Sequence, residues 1–205
     1  MRLLNQRLVP PLTVLSENTY LSAIRAGMVS VAPLTIIGGL FTILAYLPVV
    51  GWEKRIEPWL PLIQVPVTAT FGLLAVFVCF AIGYDLGKRL RQEGVISASL
   101  ATLVFLMLQI DPERQTLSMD GLGSKGLFTA ILVALVAVRV LRFFTDRNLV
   151  IRLPAQVPPV VYESFLSLVP MIALVLAFWV VRFLLGVDID RGIQAVFKPL
   201  VFALN

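Results

Sequence analysis

GMVSVAPLTIIGGLFTILAYLPVV, residues 27–50, carries no charged side chain. As a helix it extends ~36 Å, enough to cross the ~30 Å hydrocarbon core of a bilayer with some tilt. Pro33 falls inside the run. The sequence therefore predicts a kink there, with the freed carbonyl satisfied by neighbouring groups. Gly38 and Gly39 have no side chain and predict a place where another helix backbone comes close.

Further runs follow the same logic. Residues 64–84 and 94–110 are uncharged, the second about the minimum length for a span. A fourth run starts near Gly126 and is uncharged to Val138. Arg139 and Arg142 can snorkel to the interface and let it reach Phe144. The fifth covers residues 164–181. The predicted fold class is all-α integral membrane, with about five transmembrane helices. Their expected centres are Leu40, Leu74, Thr102, Leu135 and Ala173, and no β-sheet is expected, because each span must satisfy its own backbone hydrogen bonds.

Both ends read as short amphipathic interfacial segments. Leu4, Leu8, Leu12 and Leu15 recur near the start, interrupted by Pro10-Pro11, with Pro11 suited to begin a helix. Toward the end, Ile189, Ile193, Val196, Phe197 and Leu200 share one helical face; Asp190, Arg191, Gln194 and Lys198 share the other. Such a segment lies in the headgroup plane or packs as a lid on the protein. The expected organisation is a single membrane domain over residues 1–205: interfacial segment 1–17, five-helix bundle 18–186, amphipathic segment 187–205. The first apolar run is too long for a signal peptide, and no small-residue cleavage site follows it.

Composition agrees. Of the 205 residues, 59% are hydrophobic and only 14% charged, against about 25% charged in soluble domains. The mean hydropathy is +0.92, and an apolar surface of that extent would aggregate in water. The net charge is +5, with a pI near 9.8. The cations lie between apolar runs and show no aromatic interleaving, so lipid headgroups are the expected partners and nucleic acid is not. If the N-terminus is cytoplasmic, the inner segments hold Arg2, Arg7, Arg25, Lys88, Arg89, Arg91, Arg139, Arg142, Arg147 and Arg152. The outer ones hold Lys54, Arg55, Arg114, Lys125, Arg182, Arg191 and Lys198. The excess on the first side predicts a cytoplasmic N-terminus in a multi-pass plasma-membrane protein.

Few residues suggest catalysis. The chain has no histidine, which removes the commonest general base and zinc ligand. No GxSxG elbow occurs, and no metal or cofactor is expected. Cys79, the one cysteine, reads as packing material. The run 121–126 (GLGSKG) opens the fourth helix. It lacks Walker A spacing and reads as a turn with Ser124 as N-cap, or as a cradle for an anion. Asp85 ends the second run ahead of Lys88, Arg89 and Arg91, as an interfacial anchor does. Glu163 is placed at the start of the fifth helix, where a carboxylate complements the dipole; the other role open to it is contact with a substrate hydroxyl. Pro154, Pro158 and Pro159 exclude a regular helix just before it. They predict a stiff connector, with the helix starting at about Val161 or Tyr162.

That connector carries a resemblance. LPAQVPPVVYESFLSLVP, residues 153–170, is similar to a signature of IIC components of the bacterial phosphoenolpyruvate-dependent sugar phosphotransferase system, in their lactose/cellobiose/diacetylchitobiose family. Pro154, Pro158, Pro159, Ser164, Phe165 and Pro170 stand at the motif's positions. NTYLSAIRAGM (18–28), with Asn18, Tyr20 and Arg25, resembles the family's opening, and PLTIIGG (33–39), with Pro33, Gly38 and Gly39, continues it. GSKGLFTA (123–130) and IGYDL (82–86) also fit. The resemblance implies the N-terminal half of a longer permease, a membrane and dimerisation scaffold that is no enzyme by itself. The complete protein would translocate a disaccharide such as cellobiose, lactose or diacetylchitobiose for phosphorylation by a cytoplasmic IIB component. The acidic and histidine residues that hold the sugar are expected in the later half, leaving Glu163 as the weak candidate here. The alternative is a IIC-like sensor or anchor fused to a signalling domain such as a cyclic-di-GMP phosphodiesterase.

Overall fold

In a computed structural model of the chain the described residues are 18–147, 149, 159–184 and 192, with the backbone alone described for residues 159–167. Pro154, Pro158 and the interfacial segments expected at 1–17 and 187–205 lie outside these, residue 192 excepted.

Helix α1 (Thr19–Ser30) starts at Asn18, whose extended backbone and side-chain oxygen form an N-cap. Asn18 Oδ1 accepts from the N–H of Tyr20 at 2.9 Å and of Leu21 at 3.4 Å. A single residue, Val31, separates α1 from α2 (Ala32–Ala45). Pro33 causes the hinge: it has no N–H to donate, and its ring crowds the preceding turn. Hydroxyls bond back on both sides, Ser30 to Gly27 O at 2.7 Å and Thr35 to Ala32 O at 2.8 Å, as expected around proline in a membrane helix.

The chain then turns at Gly51, whose φ of +80° only glycine adopts at little cost. Trp52 Nε1 donates to Leu44 O at 3.0 Å across this turn. A helical path of 38 residues, Trp52–Arg89, follows. Straight, it would reach ~57 Å, nearly twice the hydrocarbon core. It is not straight. It divides into α3 (Trp52–Ile56), a 3₁₀ turn (Glu57–Trp59), α4 (Leu60–Phe71) and α5 (Leu74–Arg89). The single span expected over 64–84 is thus broken at Gly72 and Leu73, and Leu74 begins α5 instead of centring a helix. Pro66 within α4 weakens the ladder upstream, and a Cβ on Gly72 would lie 2.4 Å from Thr68 O.

The two bent helices lie side by side: α5 packs on α1, and α4 packs on α2. The hinge residue Val31 is buried in the same cluster as Ala75 and Val78, with Leu73 and Leu34 against it. The bend of one helix therefore nests in the break of the other.

The centre is α5, α6 (Gly94–Leu108) and α8 (Leu127–Asp146), each packed on the other two. Small residues make this possible. Ala75, Cys79, Gly83 and Gly87 recur every fourth position of α5 and are buried. Ser97, Ala98 and Ala101 of α6 and Ala130, Ala134 and Ala137 of α8 are fully buried. A Cβ on Gly83 would lie 3.0 Å from Ala98 Cα. Without a hydrophobic force between helices in lipid, such close approach supplies the attraction. Helix α9 (Pro159–Trp179) packs on α8 and α6 and runs into a π-helical turn, Val180–Leu184.

Among the described residues three helices are long and apolar enough to cross a membrane, Thr19–Ala45, Trp52–Arg89 and Ser124–Asp146; two shorter apolar helices are Gly94–Leu108 and Leu168–Leu184. The all-α membrane class holds. Three further details differ from expectation. A two-residue antiparallel ladder joins β1 (Ile110–Asp111) to β2 (Thr116–Leu117), pairing Ile110 with Leu117 and Asp111 with Thr116. It lies in the α6–α8 connection, outside the helices, where no span needs closing. Next come α7 (Met119–Leu122) and a 3₁₀ turn (Ser124–Gly126), so Gly126, not Ser124, is the N-cap of α8, and no side chain caps it. Finally α9 is already helical at Pro159, its first described residue, two or three residues ahead of the expected start. Glu163 is consequently one turn inside the helix instead of at its start.

Candidate functional site

Among the described residues the ion pairs lie toward the two ends of the bundle. At one rim α5 ends in Tyr84, Asp85, Lys88 and Arg89. Asp85 pairs with Arg89, and Lys88 Nζ lies 4.5 Å from the centre of the Tyr84 ring. The helix closes in a Schellman motif: Gln92 N–H donates to Gly87 O at 2.9 Å, and Arg91 N–H to Lys88 O at 3.1 Å. Arg91 takes the left-handed position with φ +59°. Gln92 and the end of α8 meet here, Thr145 Oγ1 donating to Gln92 Oε1 at 3.0 Å. Arg142 pairs with Asp146 at 3.1 Å on the same helix.

At the opposite rim is the hairpin. Asp111 Oδ1 accepts from Glu113 N–H at 2.9 Å and Arg114 N–H at 3.2 Å. These donors, Arg114 first, hold its carboxyl below the usual range. Lys125 bonds Asp120 at 2.7 Å, the hydrogen bond first and the charge second lowering the Asp120 pKa. The Gly121–Gly126 loop is packed shut: a Cβ on Gly126 would lie 1.8 Å from Gly121 O, and one on Gly123 would lie 3.1 Å from Phe71 O. These contacts explain its glycines as packing against the α4–α5 break and within the loop.

The motif residues are not brought together. Asn18 caps α1, and Tyr20 packs on a small cluster of Ala23, Leu86, Leu90 and Val138. Arg25 is exposed on α1. Pro33 forms the hinge of α2. A Cβ on Gly38 would lie 2.2 Å from Thr70 Oγ1 and 2.8 Å from Phe71 Cε2, whereas one on Gly39 meets nothing within 4 Å. Close approach is therefore made at Gly38 alone. Pro159, Glu163, Ser164 and Phe165 are placed in the backbone of α9, their side chains outside the described part; Pro170 is fully buried inside that helix.

Sequence reading passed over Gln109. It is 5% exposed at the C-terminal end of α6, and its Nε2 has no partner. Its side chain occupies the space a Cβ on Gly121 would need. A lone amide ending an uncharged run was the available signal. Among the described residues no group of three or more His, Cys, Asp or Glu is placed to hold a metal.

Apolar helices closed by small residues, with ion pairs toward the ends, define a multi-pass membrane protein built by helix packing. The family described as "Phosphotransferase system, EIIC" matches residues 25–200, and the chain belongs to that family, whose members are membrane permease components and not catalysts themselves. It is 34% identical over 202 residues to the cellobiose-specific EIIC component of Geobacillus stearothermophilus, covering 90% of this chain and 45% of the relative. It is 33% identical to the lactose-specific EIICB component of Staphylococcus aureus (strain COL), covering 93% and 36%. Its fold is similar to the crystal structure of the transporter ChbC, the IIC component from the N,N'-diacetylchitobiose-specific phosphotransferase system. The TM-score is 0.89 at 27% identity, over 98% of this chain and 52% of that one. The chain thus spans about half the length of the proteins it matches.

Proposed function

We propose that this chain is the scaffold half of a sugar permease that moves a β-linked disaccharide across the plasma membrane for phosphorylation by a cytoplasmic IIB component. The observation that carries the reading is the match of residues 25–200 to the EIIC family, together with a fold shared along almost the whole chain with a diacetylchitobiose IIC transporter. Cellobiose, lactose and diacetylchitobiose, named for its relatives, set the substrate class. The relatives named are permease components, which favours transport over a sensory role. The sugar itself is held mainly outside residues 1–205, since the helices here offer few polar groups. Sugar hydroxyls need several partners, each one buried and unpaired costing ~1–3 kcal/mol.

The scaffold role includes a homodimer. The α2–α4 arm supports it: Ile36, Leu40, Ile43, Leu62 and Val65 are each more than 60% exposed, an apolar face that a second copy or lipid must cover. The cation excess at the Lys88–Arg91 and Arg139–Arg147 rim supports a cytoplasmic position for that rim and for the N-terminus.

Uptake of labelled cellobiose, lactose and diacetylchitobiose by cells expressing the complete reading frame tests transport. Accumulation of the phosphorylated sugar, dependent on IIB, is expected; accumulation of none of the three sinks the reading. Single cysteines in a Cys79→Ser background test orientation. Those at Gln92 and Arg147 should resist an impermeant thiol reagent applied outside, and one at Thr116 should react. The reverse pattern inverts the topology.

A further inference from the structure

Between the hairpin and the end of α9 lies a cleft of about 540 Å³, lined by Ile110, Pro112, Gln115, Trp179 and Phe183. Small-molecule sites span ~300–1,000 Å³. We infer that this cleft is an outer contact site for the sugar, where Trp179 and Phe183 offer apolar ring faces and the Gln115 amide bonds a hydroxyl. The inference rests on the transport reading above and adds to it a site in this half of the protein.

Three observations converge on it. The π-helical turn that ends α9 widens the helix by one residue per turn, and such turns mark functional positions more often than plain helix does. Trp179 and Phe183 both line the cleft, ring centres 6.4 Å apart and tilted by 54°, forming an angled pair of walls. Trp179 is 47% exposed. On the other side Gln115 holds a left-handed φ of +51°, a conformation that asparagine or glycine adopts more cheaply. Backbone strain persists where the surroundings impose it, and here it goes with an amide at the cleft. Arg182 is the last and smallest of the influences that lower the Asp111 carboxyl, after the Arg114 and Glu113 backbone N–H groups.

Position fits the role. Helix α6 runs from the Lys88–Arg91 rim to the hairpin, and α8 runs back to Arg139–Arg147. The hairpin and the end of α9 therefore lie on the face away from the cation-rich rim, the external face under the positive-inside rule. An uncharged sugar arriving there meets rings and an amide, groups that bind the apolar and hydroxylated edges of a pyranose without a charge requirement. The competing account is that Trp179 and Phe183 are only membrane-interface anchors.

Uptake kinetics in the complete transporter separate the two. Gln115→Gly removes the amide and also suits φ +51°, so folding is kept. Trp179→Leu removes the ring, and Trp179→Phe keeps one. Apparent KM for the transported sugar should rise about five-fold or more in Gln115→Gly and in Trp179→Leu. Maximal rate and the detergent unfolding midpoint should stay near wild type, and Trp179→Phe should recover part of the loss. Unchanged KM in both variants overturns the proposal, as does a lowered midpoint with KM unchanged, the mark of an anchor. Wild-type transporter that takes up none of the three sugars fails the transport reading instead. The cleft is then judged by cellobiose quenching of the fluorescence that Trp179 contributes, taken as the difference between wild type and Trp179→Phe; no quenching of that difference overturns it.

Discussion

Glycine acts differently at different positions of this bundle. Gly27 faces α5 so closely that a Cβ would lie 2.4 Å from Ile82 Cγ1 and 2.9 Å from the Ile82 backbone nitrogen. The side chain can yield, the backbone cannot. Gly27→Val should therefore lower stability by ~1–3 kcal/mol, as overpacking does, read as a lower unfolding midpoint in detergent. A Cβ on Gly39 would meet nothing within 4 Å, and Gly39→Ala should raise the midpoint slightly, alanine being better in a helix by ~1 kcal/mol. The sequence marked Gly38 and Gly39 as equals, because adjacent positions differ by about 100° around a helix and only the packed partner tells them apart. It gave Gly27 no such role, because nothing local announces that Ile82 lies opposite. Asp111 supplies a pH-dependent residue. Its folded pKa is depressed below ~3.9, so its stabilisation of the hairpin is present above that value and lost as pH falls through the folded pKa. Hairpin amides should exchange faster as pH is lowered below about 4, after correction for intrinsic rates. Asp111→Asn should abolish that dependence; its persistence would assign it to another carboxylate.

At the scale of elements, apolar run length was legible and run interruption was not. Residues 94–110 anticipated α6 (Gly94–Leu108) within two residues, since the Glu93 carboxylate caps its start and accepts from Ile96 N–H. The break at Gly72–Leu73 was missed although Pro66 and Gly72 both stood in the run. Hydropathy averages over a window and is blind to a single weak turn, whereas the break is set by α1 and α2 packing on either side of it. The hairpin was missed because a four-residue loop between Asp111 and Thr116 gives no turn dipeptide of the Asn-Gly kind. Helix α9 already covers Pro159, ahead of the expected start, because proline is excluded only where a preceding helical turn needs its N–H. The end of α5 shows a similar conflict. Arg91 occupies the Schellman position where glycine is preferred. A left-handed residue with a Cβ costs ~1–2 kcal/mol. Arg91→Gly should raise the unfolding midpoint while weakening the cation bias at that rim by one charge. An unchanged or lowered midpoint would show that the arginine side chain makes compensating contacts.

For the whole molecule, stability is distributed in two tiers. Helices α5, α6 and α8 share a core in which Cys79, Ile82, Ala98, Val104, Phe105, Ala130, Ala134 and Ala137 are all fully buried. The α2–α4 arm is joined to that core at the nested bend by Val31, Leu34 and Leu73, and its two helices meet each other at Gly38, Thr70 and Phe71. Elsewhere the arm shows its apolar side chains outward. Such a layout makes the arm a separate cooperative unit, since few buried contacts tie it down. Hydrogen exchange in detergent micelles should accordingly show α2 and α4 opening at lower free energy than α5, α6 and α8. Gly38→Leu should sharpen the difference: a side chain forced between α2 and Thr70 would free the arm's amides and leave those of the core protected. If the arm is the dimer face, the same variant should also shift the protein toward monomer in size-exclusion light scattering. Uniform exchange across all five helices, or equal loss of protection in core and arm, would show one cooperative unit and remove the arm as an independent assembly element.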